Sequence, residues 1–260
     1  MSDFVRSYAK TIVFFGIIGL IGGFFVGLYT LRQYPDSIIA ELEGEIAAAG
    51  LGDFPIDIIV AITTAIQSAI YGAVFGLIGI IIARKIGLWR DECDIRAIPL
   101  LAAIFIAIVG GLLMIFADTL YFMEEFPAIA ESYATKPTII YLLACATYGA
   151  VIEEVMLRLF AMSLVAWVLW KIFEKDENEP STALLIAANI VSSLLFAIGH
   201  LPMNILLFGD SPLIIARCIL LNGVIGLGFG WLYRKFGLRY AMIAHGGCHI
   251  VSKLVWILFI

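Results

Sequence analysis

Residues 97–117 read AIPLLAAIFIAIVGGLLMIFA, a run of 21 residues that contains no Asp, Glu, Lys or Arg. About 20 apolar residues in a helix are enough to cross the hydrocarbon core of a bilayer, which is about 30 Å thick. Comparable runs occur both before and after it, and among these runs only residues 138–170 contain several charges. The sequence therefore predicts an all-α, polytopic transmembrane bundle of about seven spans, within a range of six to eight. The predicted spans are Thr11–Leu31, Ile58–Ala83, Ala97–Ala117, Thr138–Trp170, Thr182–His200, Leu213–Tyr233 and Tyr240–Ile260.

The composition of the whole chain agrees with a membrane protein. Of its 260 residues, 62% are hydrophobic and 14% are charged, whereas soluble domains have about 25% charged residues. The net charge of −5 leaves no basic face for nucleic acid, so we expect the lipid bilayer as partner and no nucleic acid. Four widely spaced cysteines predict small buried hydrophobes, not a disulfide framework or a zinc knuckle.

Basic residues in the loops predict how the bundle is oriented. Eleven Lys and Arg residues fall before the first span and in loops 84–96, 171–181 and 234–239, against two in the alternate loops. Cytoplasmic loops carry the excess of basic residues, so the N-terminus is predicted to be cytoplasmic. The chain is predicted to be an integral, multi-pass membrane protein, in the cell membrane if prokaryotic. We expect residues 1–137 to form an N-terminal membrane-spanning region with acidic external loops, and residues 138–260 a four-span catalytic core.

Three charged residues interrupt the fourth predicted span. Glu154 and Arg158 are four residues apart, in the acid-first order that favours an ion pair on one helix. Glu153 points about 100° away from Glu154 and lacks that partner. Ionisable groups at membrane depth are costly and mark functional sites by default. Glu153 is therefore a candidate general base.

All three histidines of the chain also fall in predicted spans. His200 ends the fifth span, while His245 and His249 are four residues apart on one face of the last helix. Helix packing alone does not need Glu, Arg and His together, whereas activation of a water molecule does. Arg217 and Lys253, the other charged residues in spans, receive no role from the sequence.

These residues fall in motifs that resemble a known family. The string Glu153-Glu154-Val-Met-Leu-Arg158 looks like its E-E-x-x-x-R motif, and Phe196-Ala-Ile-Gly-His200 looks like its F-x-x-x-H motif. Residues 222–249, NGVIGLGFGWLYRKFGLRYAMIAHGGCH, are similar to its Gly-rich span followed by a helix with H-x-x-x-N. The family is the CPBP intramembrane proteases, which include type II CAAX prenyl endopeptidases and bacteriocin-processing enzymes.

The resemblance implies an intramembrane endopeptidase that hydrolyses a peptide bond of a membrane-associated substrate, such as one with a prenylated C-terminus. It implies that Glu153 and His200 activate the attacking water, and that Glu154 and Arg158 support the site. By the same resemblance, His245 and the residue four positions later stabilise the oxyanion. That later residue is His249, where the family usually has Asn or Asp.

The presence of His249 leaves two kinds of chemistry open. A histidine can donate a hydrogen bond to an oxyanion. Two histidines four apart on a helix also suit a divalent metal such as zinc, with Glu153 or His200 as further ligands. A metal held by Glu153, His200, His245 and His249 and a metal-free glutamate mechanism are both consistent with the sequence.

Two other functions compete with proteolysis. A catalytically inactive family member would act as an immunity or scaffold protein that binds a membrane peptide, and the presence of His249 keeps this alternative open. A small proton-coupled transporter also uses intramembrane Glu, His and Arg residues, but the sequence shows no internal repeat.

The predicted spans do not place all candidate residues at one depth. Glu153 and His245 agree in depth, but His200 falls at the outer end of its span. Either the fourth span is broken near Tyr148–Gly149, or residues 201–208 return into the membrane after Pro202.

Overall fold

A computed structural model describes residues 2–91 and 94–260, with side chains from Tyr8 onward. The described chain is helical and has no strand, and seven of its helices are long and apolar enough to cross a membrane. The predicted all-α polytopic bundle is confirmed. Cys93 lies outside the described residues, whereas Cys145, Cys218 and Cys248 are free and buried as expected. The helices are α1 (Ser2–Leu31), α2 (Asp36–Ala48), α3 (Ile56–Lys85), α4 (Ala97–Glu125), α5 (Pro127–Ala134), α6 (Ile139–Phe173), α7 (Thr182–Phe208), α8 (Pro212–Phe236) and α9 (Leu238–Phe259).

Local sequence signals set the ends of several helices. Thr138 and Ser181 accept hydrogen bonds from backbone N–H groups in the first turns of α6 and α7, as N-cap residues commonly do. Gly209 and Gly237 have φ of 91° and 101° and end α7 and α8. Glycine adopts such positive φ values without a steric penalty, so the chain reverses at these two positions.

Two predicted span ends were wrong, and both helices continue further. The fifth span was expected to end at His200, but α7 runs through Pro202 to Phe208. The third span was expected to end at Ala117, but α4 continues to Glu125 through a π-helical segment, Asp118–Phe122. The continuation of α7 places His200 inside the bundle. Neither explanation offered for the depth of His200 is therefore right: α6 is continuous through Tyr148–Gly149, and residues 201–208 prolong α7 instead of returning into the membrane.

Glycines allow α1 and α3 to pack with their backbones in close contact. A Cβ added at Gly19 would lie 2.3 Å from the Ser68 carbonyl oxygen, and one at Gly72 would lie 2.4 Å from the Phe15 carbonyl oxygen. Without a hydrophobic drive between helices in lipid, such small-residue contacts hold membrane helices together. Helices α1 and α3 both contact α6, and α4 packs along α9. The N-terminal helices therefore pack directly on those that carry the candidate residues, and the division at residue 137 stays a prediction.

The main hydrophobic core lies towards the end of the bundle where the basic loops are. Its buried members include Ile80 and Ala83 of α3, and Tyr233 and Tyr240 on either side of the turn between α8 and α9. The opposite half of the bundle is hollow and contains the candidate residues. The core thus packs one end of the bundle, and the cavities lie in the other half.

Candidate functional site

A polar chamber of about 810 Å³ occupies the hollow half of the bundle. Its walls come from α1, α4, α5, α6, α7, α8 and α9, so residues of the N-terminal region contribute as well. The candidate residues that line it are Glu153, His200, His245 and His249, whereas Glu154 and Arg158 are fully buried behind its wall.

Two π-helical segments of α6, Cys145–Glu153 and Val155–Met162, meet at Glu154. Such segments are rare and occur frequently at functional sites. Glu153 and Glu154 come from neighbouring positions there and face different surroundings. Glu154 turns into the protein, while Glu153 faces the chamber with a side chain that is 17% exposed.

The expected ion pair between Glu154 and Arg158 is present. Arg158 Nη1 lies 3.2 Å from Glu154 Oε1, and both side chains are completely buried. Arg158 Nη2 also donates a hydrogen bond to the Gly226 carbonyl, and the guanidinium lies over the rings of Phe196 and Phe229. A Cβ at Gly226 would come within 2.8 Å of Nη2, so glycine leaves the space that the guanidinium occupies.

Glu154 also holds His245 in place. His245 Nδ1 lies 2.9 Å from Glu154 Oε1, and the imidazole ring stacks on Phe229 with centroids 4.7 Å apart. Because the ion-paired carboxylate accepts, Nδ1 carries the proton and donates. The second ring nitrogen, Nε2, consequently points to the chamber and to Glu153.

His200 is fixed in a similar way from α7. Its Nδ1 lies 2.9 Å from the Phe196 carbonyl oxygen, and its ring packs edge-to-face on the Phe196 ring. A carbonyl oxygen only accepts, so Nδ1 carries the hydrogen and a neutral His200 presents the lone pair of Nε2. Asn204 donates to the His200 carbonyl oxygen one turn later.

Glu153 therefore faces two imidazole nitrogens from two other helices. Its Oε1 lies 3.9 Å from His200 Nε2, and its Oε2 lies 3.7 Å from His245 Nε2. These distances are too long for direct hydrogen bonds and are of the size that a bridging water fills. The three side chains surround a space where one water could contact both a carboxylate and an imidazole.

His249 lies beside His245 at the chamber wall. Its ring stacks on His245 with centroids 5.1 Å apart, and its Nδ1 is buried without a hydrogen-bond partner. The donor types of Glu153, His200, His245 and His249 are those of zinc sites. However, in the part of the chain that the structure describes, no group of three or more His, Cys, Asp and Glu side chains is arranged to hold a metal ion. The described side chains of these four residues therefore do not form a ready-made metal site in this structure.

The structure supplies a partner for Arg217. Its Nε and Nη2 donate to the two oxygens of Asp118 at 2.6 and 2.7 Å, and its Nη1 donates to Asn204 at 2.8 Å. Tyr133 of α5 donates to the same carboxylate, and burial together with Asp118 raises the pKa of the Tyr133 phenol. Asn204 also donates a hydrogen bond to the His200 carbonyl oxygen. This network therefore connects Asp118 of α4 and Arg217 of α8 to the candidate site.

Sequence reasoning missed Asp118, Asn204 and Tyr133. Asp118 directly follows the charge-free stretch 97–117 and was counted with the external loop. The only sequence signal was the unpaired Arg217, which implied an acidic partner somewhere in the bundle. Nothing in the sequence indicates which of the acidic residues that partner is.

The fold and these side chains define a multi-pass helical membrane protein with an ionisable site inside the bundle. Residues 135–251 match the family model described as Rce1-like, type II CAAX prenyl endopeptidase Rce1-like. This match confirms the resemblance drawn from the three motifs, and all six candidate site residues lie within the matched stretch. The family is one of CAAX-type proteases of the membrane. No curated protein and no solved structure matches the chain.

Proposed function

We propose that this chain is an intramembrane endopeptidase in which Glu153 activates a water molecule for attack on a peptide carbonyl. The observation that carries the proposal is the position of the Glu153 carboxylate, 3.9 and 3.7 Å from the Nε2 atoms of His200 and His245. A water in that space would donate one hydrogen bond to Glu153 and the other to His200. Both bonds orient its oxygen lone pair for attack.

In this proposal the reaction uses only groups of the chamber. Glu153 takes a proton from the water as the water oxygen bonds to the scissile carbonyl carbon. His245, when protonated, donates from Nε2 to the resulting oxyanion, while Glu154 keeps its hydrogen bond to Nδ1. Glu153 passes its proton to the leaving nitrogen, the carbon–nitrogen bond breaks, and a carboxylic acid and an amine result.

A second cavity supports a lipid-modified substrate. It measures about 720 Å³, lies between α4, α6 and α9, and has almost entirely apolar walls. Cys145, His249 and Lys253 line both this cavity and the polar chamber. In our proposal a prenyl or similar chain occupies the apolar cavity, and the peptide attached to it extends into the chamber.

Replacement of Glu153 by glutamine tests the proposal. The purified chain in detergent is incubated with an S-farnesylated peptide that ends in a CAAX sequence, and cleavage is followed by mass spectrometry. Glu153→Gln keeps the shape of the side chain and removes the base, so we expect cleavage to fall at least about 100-fold. Glu131→Gln, an exposed position at the chamber wall, is the matched control and should retain wild-type activity. Undiminished cleavage by Glu153→Gln would refute the proposal.

A further inference from the structure

Lys253 is a buried lysine with no ion-pair partner among the described residues. Its residue is 7% exposed, and its ammonium lies 5.1 Å from the Tyr141 ring centroid and 5.6 Å from that of Trp256. Among the described residues, no carboxylate is within ion-pair distance of Lys253. Asp118, an acid on the same chamber wall, is already bound through both oxygens by Arg217.

The contacts with the two aromatic rings offset only part of the free-energy cost of burying the Lys253 ammonium. A lysine in the membrane interior costs about 2.5–3.5 kcal/mol on insertion scales, and cation–π contacts offset roughly 0.5–2 kcal/mol. Buried charges are normally paired. Because the ammonium lines the chamber, an anion that enters the chamber can supply the missing partner.

The position of Lys253 relative to the site limits what that anion can be. Lys253 follows His245 by eight residues on the same face of α9, which is about 12 Å along the helix. The ammonium lies near the rings of Tyr141 and Trp256, so it stays at about the level of Lys253 itself. An extended peptide advances about 3.3–3.6 Å per residue. About three residues therefore fit between the scissile carbonyl and the ammonium.

We propose that Lys253 binds the C-terminal α-carboxylate of the peptide substrate and thereby sets how many residues are removed. This inference rests on the proposed function. Lysine offers a compact charge with three donors, which suits a chain end that arrives in an extended conformation. The preference for a free carboxylate makes Lys253 a specificity-determining residue, separate from the side chains that activate water.

Binding to an inactive protein tests the inference independently of cleavage. The probe is a fluorescent, S-farnesylated CAAX peptide with either a free C-terminal carboxylate or a C-terminal amide. It is titrated by fluorescence anisotropy into the full chain carrying Glu153→Gln, in neutral detergent. We expect the acid to bind at least tenfold more tightly than the amide. Adding Lys253→Met should remove that difference by weakening binding of the acid alone, and Lys253→Arg should keep it.

Lys171→Met is the matched control. Lys171 also lies over a tryptophan ring, 3.8 Å from Trp170, but sits at the basic end of α6 and does not line the chamber. This control should preserve the acid preference. Equal affinities for acid and amide, including no binding of either, would overturn the inference. So would an effect of Lys253→Met that appears only when phosphatidylglycerol is added, because it would assign the ammonium to a lipid phosphate.

The two proposals fail in different ways. If the acid is preferred but the wild-type chain does not cleave, Lys253 is a carboxylate receptor and the proposed protease activity is wrong. If the wild-type chain cleaves the acid and the amide peptides equally well, the proposed function holds and the role of Lys253 is wrong.

Discussion

His245 and Glu154 are joined by a hydrogen bond between two membrane helices, with Nδ1 2.9 Å from Oε1. The same oxygen lies 3.2 Å from Arg158 Nη1, so one carboxylate atom contacts both a cation and an imidazole. These contacts connect α6 to α9 and fix the rotation of the His245 ring. Glu154 thus acts on the chamber indirectly, by directing His245 Nε2 towards Glu153.

The contacts of Arg158 predict a large effect of its removal on stability. Arg158→Met keeps much of the side-chain volume but leaves Glu154 buried without its cation. Loss of one member of a buried ion pair costs about 3–5 kcal/mol, so we expect a clearly lower Tm in detergent. Arg239→Met is the control, because Arg239 makes an exposed contact to the Asp94 carbonyl. A Tm for Arg158→Met equal to that of the control would contradict the prediction.

The unusual His249 predicts a difference between two substitutions. Asparagine, which the family usually has at this position, keeps an N–H donor, and leucine does not. If His249 contributes to oxyanion stabilisation, His249→Asn should retain kcat within about tenfold, whereas His249→Leu should lower kcat about 100-fold or more. KM should change little in both. Wild-type kcat in the leucine variant would show that His249 only packs against His245.

The contact between α1 and α3 predicts opposite results for two glycines on one helix. A methyl group at Gly19 would lie 2.3 Å from the Ser68 carbonyl oxygen, whereas at Gly16 the nearest atoms are 3.8 Å away. Gly19→Ala should therefore push the helices apart and destabilise the fold by roughly 1–3 kcal/mol. Gly16→Ala should leave thermal unfolding in detergent unchanged. Equal Tm values for the two variants would contradict this packing.

The predicted orientation can be tested with a membrane-impermeant maleimide on intact cells. In a Cys93→Ser background, a cysteine replacing Ser132, an exposed residue that lines the chamber, should be labelled from outside. A cysteine replacing the exposed Lys175 of loop 171–181 should be labelled only after the cells are opened. The buried Cys145, Cys218 and Cys248 should not react. The reverse labelling pattern would invert the orientation.

The sequence predicted the membrane helices well because charge-free runs of sufficient length have few alternatives to a span. It also predicted the Glu154–Arg158 pair, since partners four apart on one helix are set by helix geometry alone. The contact of Asp118 with Arg217 joins residues 99 positions apart. Such a pair depends on which helices become neighbours, and helix periodicity does not determine that.

Other features depended on details that periodicity does not contain. Pro202 predicted a helix end, yet α7 continues through it for another turn and a half, as membrane helices often do. The spacing of His245 and His249 placed them on one face, which the stacked rings bear out. It could not show how the His249 ring is oriented in the chamber, because ring orientation depends on contacts with other helices.

The packed end of the bundle has a consequence for how the chamber exchanges its contents with water. Ile80, Tyr233, Tyr240 and their buried neighbours fill the half near the basic loops, while the chamber reaches Arg32 and Ser132 at the other end. In the proposed function, a water-soluble fragment that leaves past Arg32 and Ser132 would be delivered to the side of the membrane opposite the basic loops.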